Sequence, residues 1–372
     1  MAEILFVDDN PEQVKGLRTQ LPKDVFSSAA HPDDVTPKQL FRADLVLVDY
    51  RLDDWNERDN ARGISLQPVD GLALAGILRS HSEQRKSPRP IAFGILSNHI
   101  AELARNLPPE YREHAIARNC NIEWAFEKNS NSADLASQLV SLAEAVEKLP
   151  HNWPVGSRIS LEKKLAELLD IPNVDWRDRA LSDVHRCHPP IHELSEWTHG
   201  IVFLRWLLLR ILPYPTFLCG PRQFAARLRI EVGHFNKLAA DKRFRNVFRS
   251  AEYTGILSSF VGPRWWRSGI ESILWDATQN SSATVSSLHN FLRQKTKVAI
   301  KPVKSTSPVV CLDRDLREMD ALADAKDAVR IVPDDWPSYS DDAWTTLDLA
   351  RSEDNLKALV LQSDIDRVEA EG

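Results

Sequence analysis

Cysteine is scarce in this chain: four in 372 residues, Cys120, Cys187, Cys219 and Cys311. They stand far apart with no paired spacing, which excludes a disulfide-stapled scaffold and suits a reducing compartment. Long apolar runs are also missing. The most apolar stretch, Ile201 to Leu218, carries Arg205, Arg210, Pro213 and Pro215. Each arginine would cost roughly 2.5–3.5 kcal/mol at a bilayer centre, so a buried helix is expected there and not a membrane span. The first strand is expected after three residues, and no secretory leader is expected before it. No internal repeat or low-complexity run is present. Together these absences predict a cytoplasmic protein that makes no use of a membrane.

What is present is an ordinary globular composition, 43% apolar and 27% charged, with length for two or three domains. The net charge of −6 conceals a segregation. Residues 201–304 hold 17 Lys+Arg against 5 Asp+Glu, a net of +12, and residues 305–372 hold 7 against 17, a net of −10. A basic and an acidic segment side by side are expected to dock on one another.

The front of the chain alternates short apolar runs with amphipathic helical segments, the pattern of a parallel α/β sheet. Strands are predicted at 4–8, 25–29, 44–49, 91–97 and 123–127. Helices are predicted near 11–21, 70–80, 99–107 with a continuation after Pro109, and 133–148, where Leu135, Leu139, Leu142, Val146 and Leu149 recur at helical spacing. The polar residues fall where these strands end: Asp8 and Asp9, then Asp49, Ser97 and Lys128. Ligands of open parallel sheets bind beyond the carboxyl ends of the strands, so these five residues are expected to converge.

Three carboxylates held together repel and raise one another's pKa unless a dication neutralises them. Mg²⁺ is the natural choice, since it takes oxygen ligands and shares phosphate oxygens. Lys128 supplies a point charge for a phosphoryl group and Ser97 a hydroxyl. A carboxylate can itself accept a phosphoryl group, and Asp49, on the central strand, is the best placed.

In these five residues, taken in order, the first 149 positions resemble the receiver domain of two-component response regulators. Pro68-Val69-Asp70-Gly71-Leu72 also resembles that family's turn into its third helix. The resemblance implies a flavodoxin-like sheet in the order 2-1-3-4-5 and Mg²⁺-dependent transfer to Asp49 from a histidine kinase or phosphotransfer protein. It also implies that the carbonyl of Arg51 completes the metal shell beside Asp8, Asp9 and Asp49. Such a receiver accepts and later loses phosphate, so "enzyme" describes it only loosely. The sequence departs from the family in four places. The loop 51–67 is a charged insertion, Asn129 stands where the family has proline, and Ala125 replaces the expected aromatic between Trp124 and Phe126. The segment from Ser97 to Lys128 is longer, interrupted at Pro108-Pro109.

Behind the receiver the expected division is a linker at 150–157, a helical basic output domain at 158–304 and an acidic piece, α/β or α, at 305–372. Pro150 to Ser157 reads as the breaker, and a helix bearing Leu161, Leu165, Leu168 and Leu169 follows. Next, His185, Cys187, His188, His192 and His199 form a tract with zinc-type ligands but no recognised ligand spacing. Helices are expected at 223–230 and 235–248 around Glu231-Val232-Gly233, inviting a helix-turn-helix comparison. Lys242, Arg243, Arg245 and Arg249 are candidate phosphate contacts, and Arg264-Trp265-Trp266-Arg267 candidate base-stacking and phosphate groups. In the last segment, strands are predicted near 308–312 and 329–332, with an acidic helix between them and helical stretches at 343–350 and 356–361. The leading expectation is a response regulator whose output works through protein contacts with an effector or a second copy. Alternatives are a DNA-binding regulator using 201–304, and a metal-dependent effector using 185–199.

Overall fold

The structure is a computed structural model and describes residues 1–56, 68–84, 87, 89–98, 100–103, 113–128, 131–151, 153, 157–194, 200–278 and 285–370. The chain divides into two compact units. The first comprises Met1–Leu169, Pro189–Pro213 and Gly255–Val261, and the second Asp170–His188, Tyr214–Thr254 and Gly262–Gly372. Segments expected as linker and as output domain thus lie inside the first unit.

Unit one is built on five parallel strands, β1 (Glu3–Val7), β2 (Phe26–Ala30), β3 (Leu45–Asp49), β4 (Ala92–Ser97) and β5 (Trp124–Glu127). Their order is 2-1-3-4-5, as expected. Parallel strands need crossovers, and helices supply them. The helices are α1 (Lys15–Arg18), α2 (Pro37–Arg42), α3 (Gly71–Gln84), α4 (Ile100–Leu103), α5 (Glu113–Asn119) and α6 (Ser132–Glu147). Strands covered on both faces read as unbroken apolar runs. Ile4, Val7, Leu45, Val46, Val48 and Ile95 have no exposed surface. At about 1.5–3 kcal/mol for each fully buried aliphatic side chain, these runs dominate the sheet's stability. The continuation of the fourth helix before 113 and most of the 51–67 loop lie outside the described residues.

Register sets which residues share the sheet's carboxyl edge. Val7 pairs with Val48, Asp49 with Leu96, and Ser97 with Glu127. Asp8, Asp9, Asp49, Ser97 and Lys128 therefore come to one edge through strand length and parallel register together.

Three further segments complete unit one: α7 (Arg158–Leu168), a helix at Ile201–Trp206 that widens to a π turn over Leu207–Ile211, and the stretch 255–261. The expected central helix at 201–212 is thus present in two geometries. Gly200, at φ 90°, starts it. A Cβ there would fall 2.4 Å from the Trp153 ring, so the left-handed turn and the close approach both demand glycine. Phe260 stands edge-on to Trp124, ring centres 5.0 Å apart, and 6.2 Å from Phe126. No helix among the described residues is long and apolar enough to cross a membrane.

Unit two is mainly helical, with helices at Arg177–Arg186, Pro221–Leu228, Val232–Ala240, Lys242–Phe248, Arg267–Ala277 and Val285–Thr296. Phe224, Phe235, Phe244, Phe248 and Trp265 form its aromatic centre. The helix expected over 235–248 is two helices broken at Asp241. That residue takes an extended backbone (φ −77°, ψ 123°), and its carboxylate accepts the Arg243 N–H at 2.8 Å. An N-capping aspartate starts a new helix more favourably than it continues an old one. The preceding helix, Pro221–Leu228, is capped by Arg229, in the left-handed region at φ 54°.

A four-stranded sheet closes unit two, in the order Ala328–Ile331, Ala343–Thr346, Pro308–Leu312, Glu318–Asp324. The small α/β piece expected here is present, but the acidic helix is not. Glu318–Asp324 is a strand antiparallel to Pro308–Leu312, turned back by Asp313, whose carboxylate accepts the N–H groups of Asp315 and Arg317. Residues 343–346 are likewise a strand, and a helix follows only at Leu347–Ser352. Partner strands override weak helix propensity in these short runs. The segregated charges meet: Arg222 reaches Asp320 at 2.6 Å, and Arg227 and Arg267 share Asp341 at 3.1 and 3.0 Å.

Candidate functional site at the carboxyl edge of the parallel sheet

The oxygens of Asp8, Asp9 and Asp49 lie within 4.8 Å of one another, the one such cluster of potential ligands among the described residues. Each is delivered by a strand end and then tied down. The Asp8 carboxylate accepts the Asn10 N–H at 2.8 Å, and Asp8 N–H donates to the Ala30 carbonyl at 3.2 Å. Asp9 Oδ2 accepts the Asp54 N–H at 2.6 Å, fastening the start of the 51–67 loop to the acidic pair. Trp55 Nε1 donates to Asp33 at 2.9 Å and so holds the same loop to the turn after β2.

Lys128 enters from the end of β5. Its Nζ lies 3.0 Å from Asp49 Oδ1 and 3.4 Å from Asp8 Oδ2, and its backbone N–H donates to the Ser97 carbonyl at 2.9 Å. Ser97 is buried at the end of the adjacent strand. Arg51 is two residues beyond Asp49, on the loop that Asp9 secures. All the residues expected to converge are thus at one edge.

Burial pushes the Asp49 carboxyl up to about 6, aided by the Asp8 and Asp9 charges and opposed by Lys128. Asp9 is raised as well, through burial and the neighbouring Asp8, although the Asp54 N–H works against it. One lysine against three carboxylates leaves a formal charge of −2 when all are ionised. Oxygen donors in that arrangement fit a hard dication such as Mg²⁺.

Gly71 closes the site from behind. Its N–H donates to the Tyr50 carbonyl at 2.8 Å, and a Cβ on it would stand 1.9 Å from the Asp49 carbonyl oxygen. The glycine of the Pro68–Leu72 turn is therefore required by the backbone that carries Asp49.

Sequence reasoning missed one ionic group in unit one. Glu123, fully buried just before β5, receives Arg79 at 2.9 Å and Arg205 at 2.7 Å, together with the Phe93 N–H. Burial raises its carboxyl, but the two guanidiniums more than offset this and hold it below the usual range. Arg205 also donates to Asn121 Oδ1 at 2.8 Å and to the Asn121 carbonyl at 3.1 Å. The 201–206 helix is thereby locked beside β5. The one hint in the sequence was a glutamate directly before the apolar run Trp124-Ala125-Phe126.

The other candidates separate. Burial pushes the Cys187 thiol up to about 12, and no second cluster of metal ligands forms among the described residues; His199 lies outside them. Arg267 donates to the carbonyls of Pro215 and Thr216 and pairs with Asp341. Trp265 and Trp266 are buried, Trp266 stacked on Phe217 at 5.5 Å, so neither offers a base-stacking face. Arg264 donates to the Pro263 carbonyl at 3.2 Å and lies near Glu318, and Arg243 is taken by Asp241. Lys242, Arg245 and Arg249 remain together along one groove.

No family model matches the chain, and no curated protein does. Among solved structures, the response regulator ChrA of a heme-sensing two-component system aligns at 12% identity and a TM-score of 0.24, over 80% of this chain and 98% of that one. RcsB of Salmonella enterica serovar Typhimurium, bound to promoter P1flhDC with phosphomimetic BeF3-, aligns at 15% and 0.26, over 55% and 88%. A structure of two RcsB dimers on two parallel DNAs aligns at 16% and 0.25, over 55% and 97%. Superpositions this loose carry no residue roles across.

Proposed function

We propose that unit one is a phosphoryl-accepting switch of the two-component type, with Asp49 as acceptor. The observation that carries this is the convergence of three carboxylates, within 4.8 Å of one another, on a lysine 3.0 Å from Asp49. An Asp49 oxygen attacks the phosphorus of a histidine kinase's or phosphotransfer protein's phosphohistidine. The new P–O bond forms as the P–N bond breaks, and the leaving imidazole keeps the electron pair and takes a proton from solvent. Asp8, Asp9 and Asp49, with the Arg51 carbonyl, would hold Mg²⁺, which supplies positive charge to the phosphoryl oxygens. Lys128 neutralises the same oxygens once Asp49 is phosphorylated to the acyl phosphate and its 3.0 Å ion pair is lost. Ser97, one strand over, supplies a hydroxyl to the new group.

The output is read within the chain. Lys128 follows directly on β5, whose Trp124 and Phe126 carry Phe260. A shift of Lys128 toward a phosphoryl group therefore acts on the 255–261 segment, and through it on protein contacts with an effector or a second copy.

The test is intact mass after incubation with Mg²⁺ and acetyl phosphate. A single phosphoryl adduct is expected, absent in Asp49→Ala and in EDTA. No adduct from either acetyl phosphate or a panel of phosphohistidine donors, with Mg²⁺ present, would overturn the proposal.

A further inference from the structure

Unit two carries an open groove of about 690 Å³ along the Lys242–Phe248 helix. Phe244 and Phe248, both about 1% exposed, anchor that helix in the aromatic core. The opposite side presents Lys242, Arg245 and Arg249 to the groove. At 1.5 Å per residue this row spans about 10 Å. Arg245 has only a 3.4 Å contact with Glu252, and Lys242 and Arg249 have no ion pair among the described residues. The basic residues that do meet the acidic segment, Arg222, Arg227 and Arg267, lie elsewhere.

The remaining wall is mixed, with Pro172 and Ala240 beside the carboxylates of Asp170 and Glu252. Asn246 and Ser250 line it, and Thr254 donates its hydroxyl to Asp170 at 2.6 Å. No aromatic side chain lines the groove, so nothing there stacks a base. The volume is that of a small-molecule site, which ordinarily spans about 300–1,000 Å³.

We infer that this groove binds a small phosphorylated polyol, with two phosphates about 10 Å apart on the Lys242–Arg245–Arg249 row and hydroxyls on the Asn246, Ser250, Thr254 and Asp170 side. Guanidiniums recognise phosphate oxygens in pairs, and the carboxylate and amide wall accepts or donates to hydroxyls. The site is separate from Asp49 and stands whether or not Asp49 is an acceptor.

Calorimetric titration of the full chain with fructose 1,6-bisphosphate tests it, beside inorganic phosphate, fructose and a single-stranded oligonucleotide. The bisphosphate is expected to bind at least about tenfold more tightly than inorganic phosphate, as a second charge-assisted contact requires. Arg249→Gln should weaken it about tenfold, and Lys242→Gln/Arg245→Gln/Arg249→Gln should abolish it, with circular dichroism unchanged. Arg243→Gln, outside the groove, should leave it intact. Equal affinities for bisphosphate and inorganic phosphate, or binding that survives the triple substitution, would overturn the inference. Binding of the oligonucleotide alone would also overturn it and reassign the row to a nucleic-acid backbone.

Discussion

Neutralising Asp49 should make the metal-free protein more stable, although it deletes an ion pair with Lys128. The Asp49 carboxyl sits at about 6 in the fold, against 3.8 as the ordinary value. Burial is the main cause, and Asp8 and Asp9 add to it. With a raised folded-state pKa, the folded chain binds this proton more tightly than the unfolded chain does. Stability is therefore lost as pH rises from about 4 through about 6, and the loss is complete by pH 8. The difference corresponds to about 3 kcal/mol. Asp49→Asn keeps the shape of the protonated acid without the charge. In EDTA at pH 8 the variant should exceed the natural protein by about that amount, and at pH 4 by only about 0.5 kcal/mol. Urea unfolding at each pH, read by pulsed hydrogen exchange on β1 and β3 peptides, confines the measurement to unit one. Adding Mg²⁺ should shrink the lead at pH 8, because the ion favours three ionised carboxylates. A lead below about 0.5 kcal/mol at pH 8, within the range of ordinary surface substitutions, or an equal lead at pH 4, would refute the electrostatic reasoning.

Two further substitutions probe the frame around the site. Glu123→Gln leaves Arg79 and Arg205 facing a neutral amide in a buried position and should cost about 3–5 kcal/mol, as one-sided breaks of buried ion pairs do. A loss under about 1 kcal/mol in chemical denaturation would show the cluster to be solvated in solution. Gly71→Ala forces a Cβ to within 1.9 Å of the Asp49 carbonyl unless the backbone moves. Phosphoryl adduct formation should fall at least about tenfold, in line with the cost of displacing a reacting group. Unchanged adduct yield would mean that the turn yields without disturbing Asp49.

The unbroken apolar runs ending in Asp8, Asp49 and Ser97 announced buried parallel strands, and all five strands lie within a residue or two of where they were expected. Strand length, a local property, then puts each polar residue at a strand end, and parallel register brings those ends to one edge. Gly71 could be placed in a turn from the sequence, but the carbonyl it must clear is a tertiary neighbour. The break at Asp241 was hidden because the apolar spacing runs straight across it, while the capping bond to Arg243 depends on side-chain geometry. The strand at Glu318–Asp324 was hidden because its pairing partner, not its own composition, decides its conformation.

Local sequence thus determined the strands and the five polar residues at their carboxyl ends, because apolar run length acts over a few residues; the strand order was an expectation carried by the family resemblance. Only the tertiary structure decided that Glu123 would hold Arg79 and Arg205. It alone placed Phe260 on β5 and left three of six candidate cations lining a groove. Those outcomes rest on contacts between residues tens of positions apart, whose strength depends on burial and distance, and neither can be read along the chain.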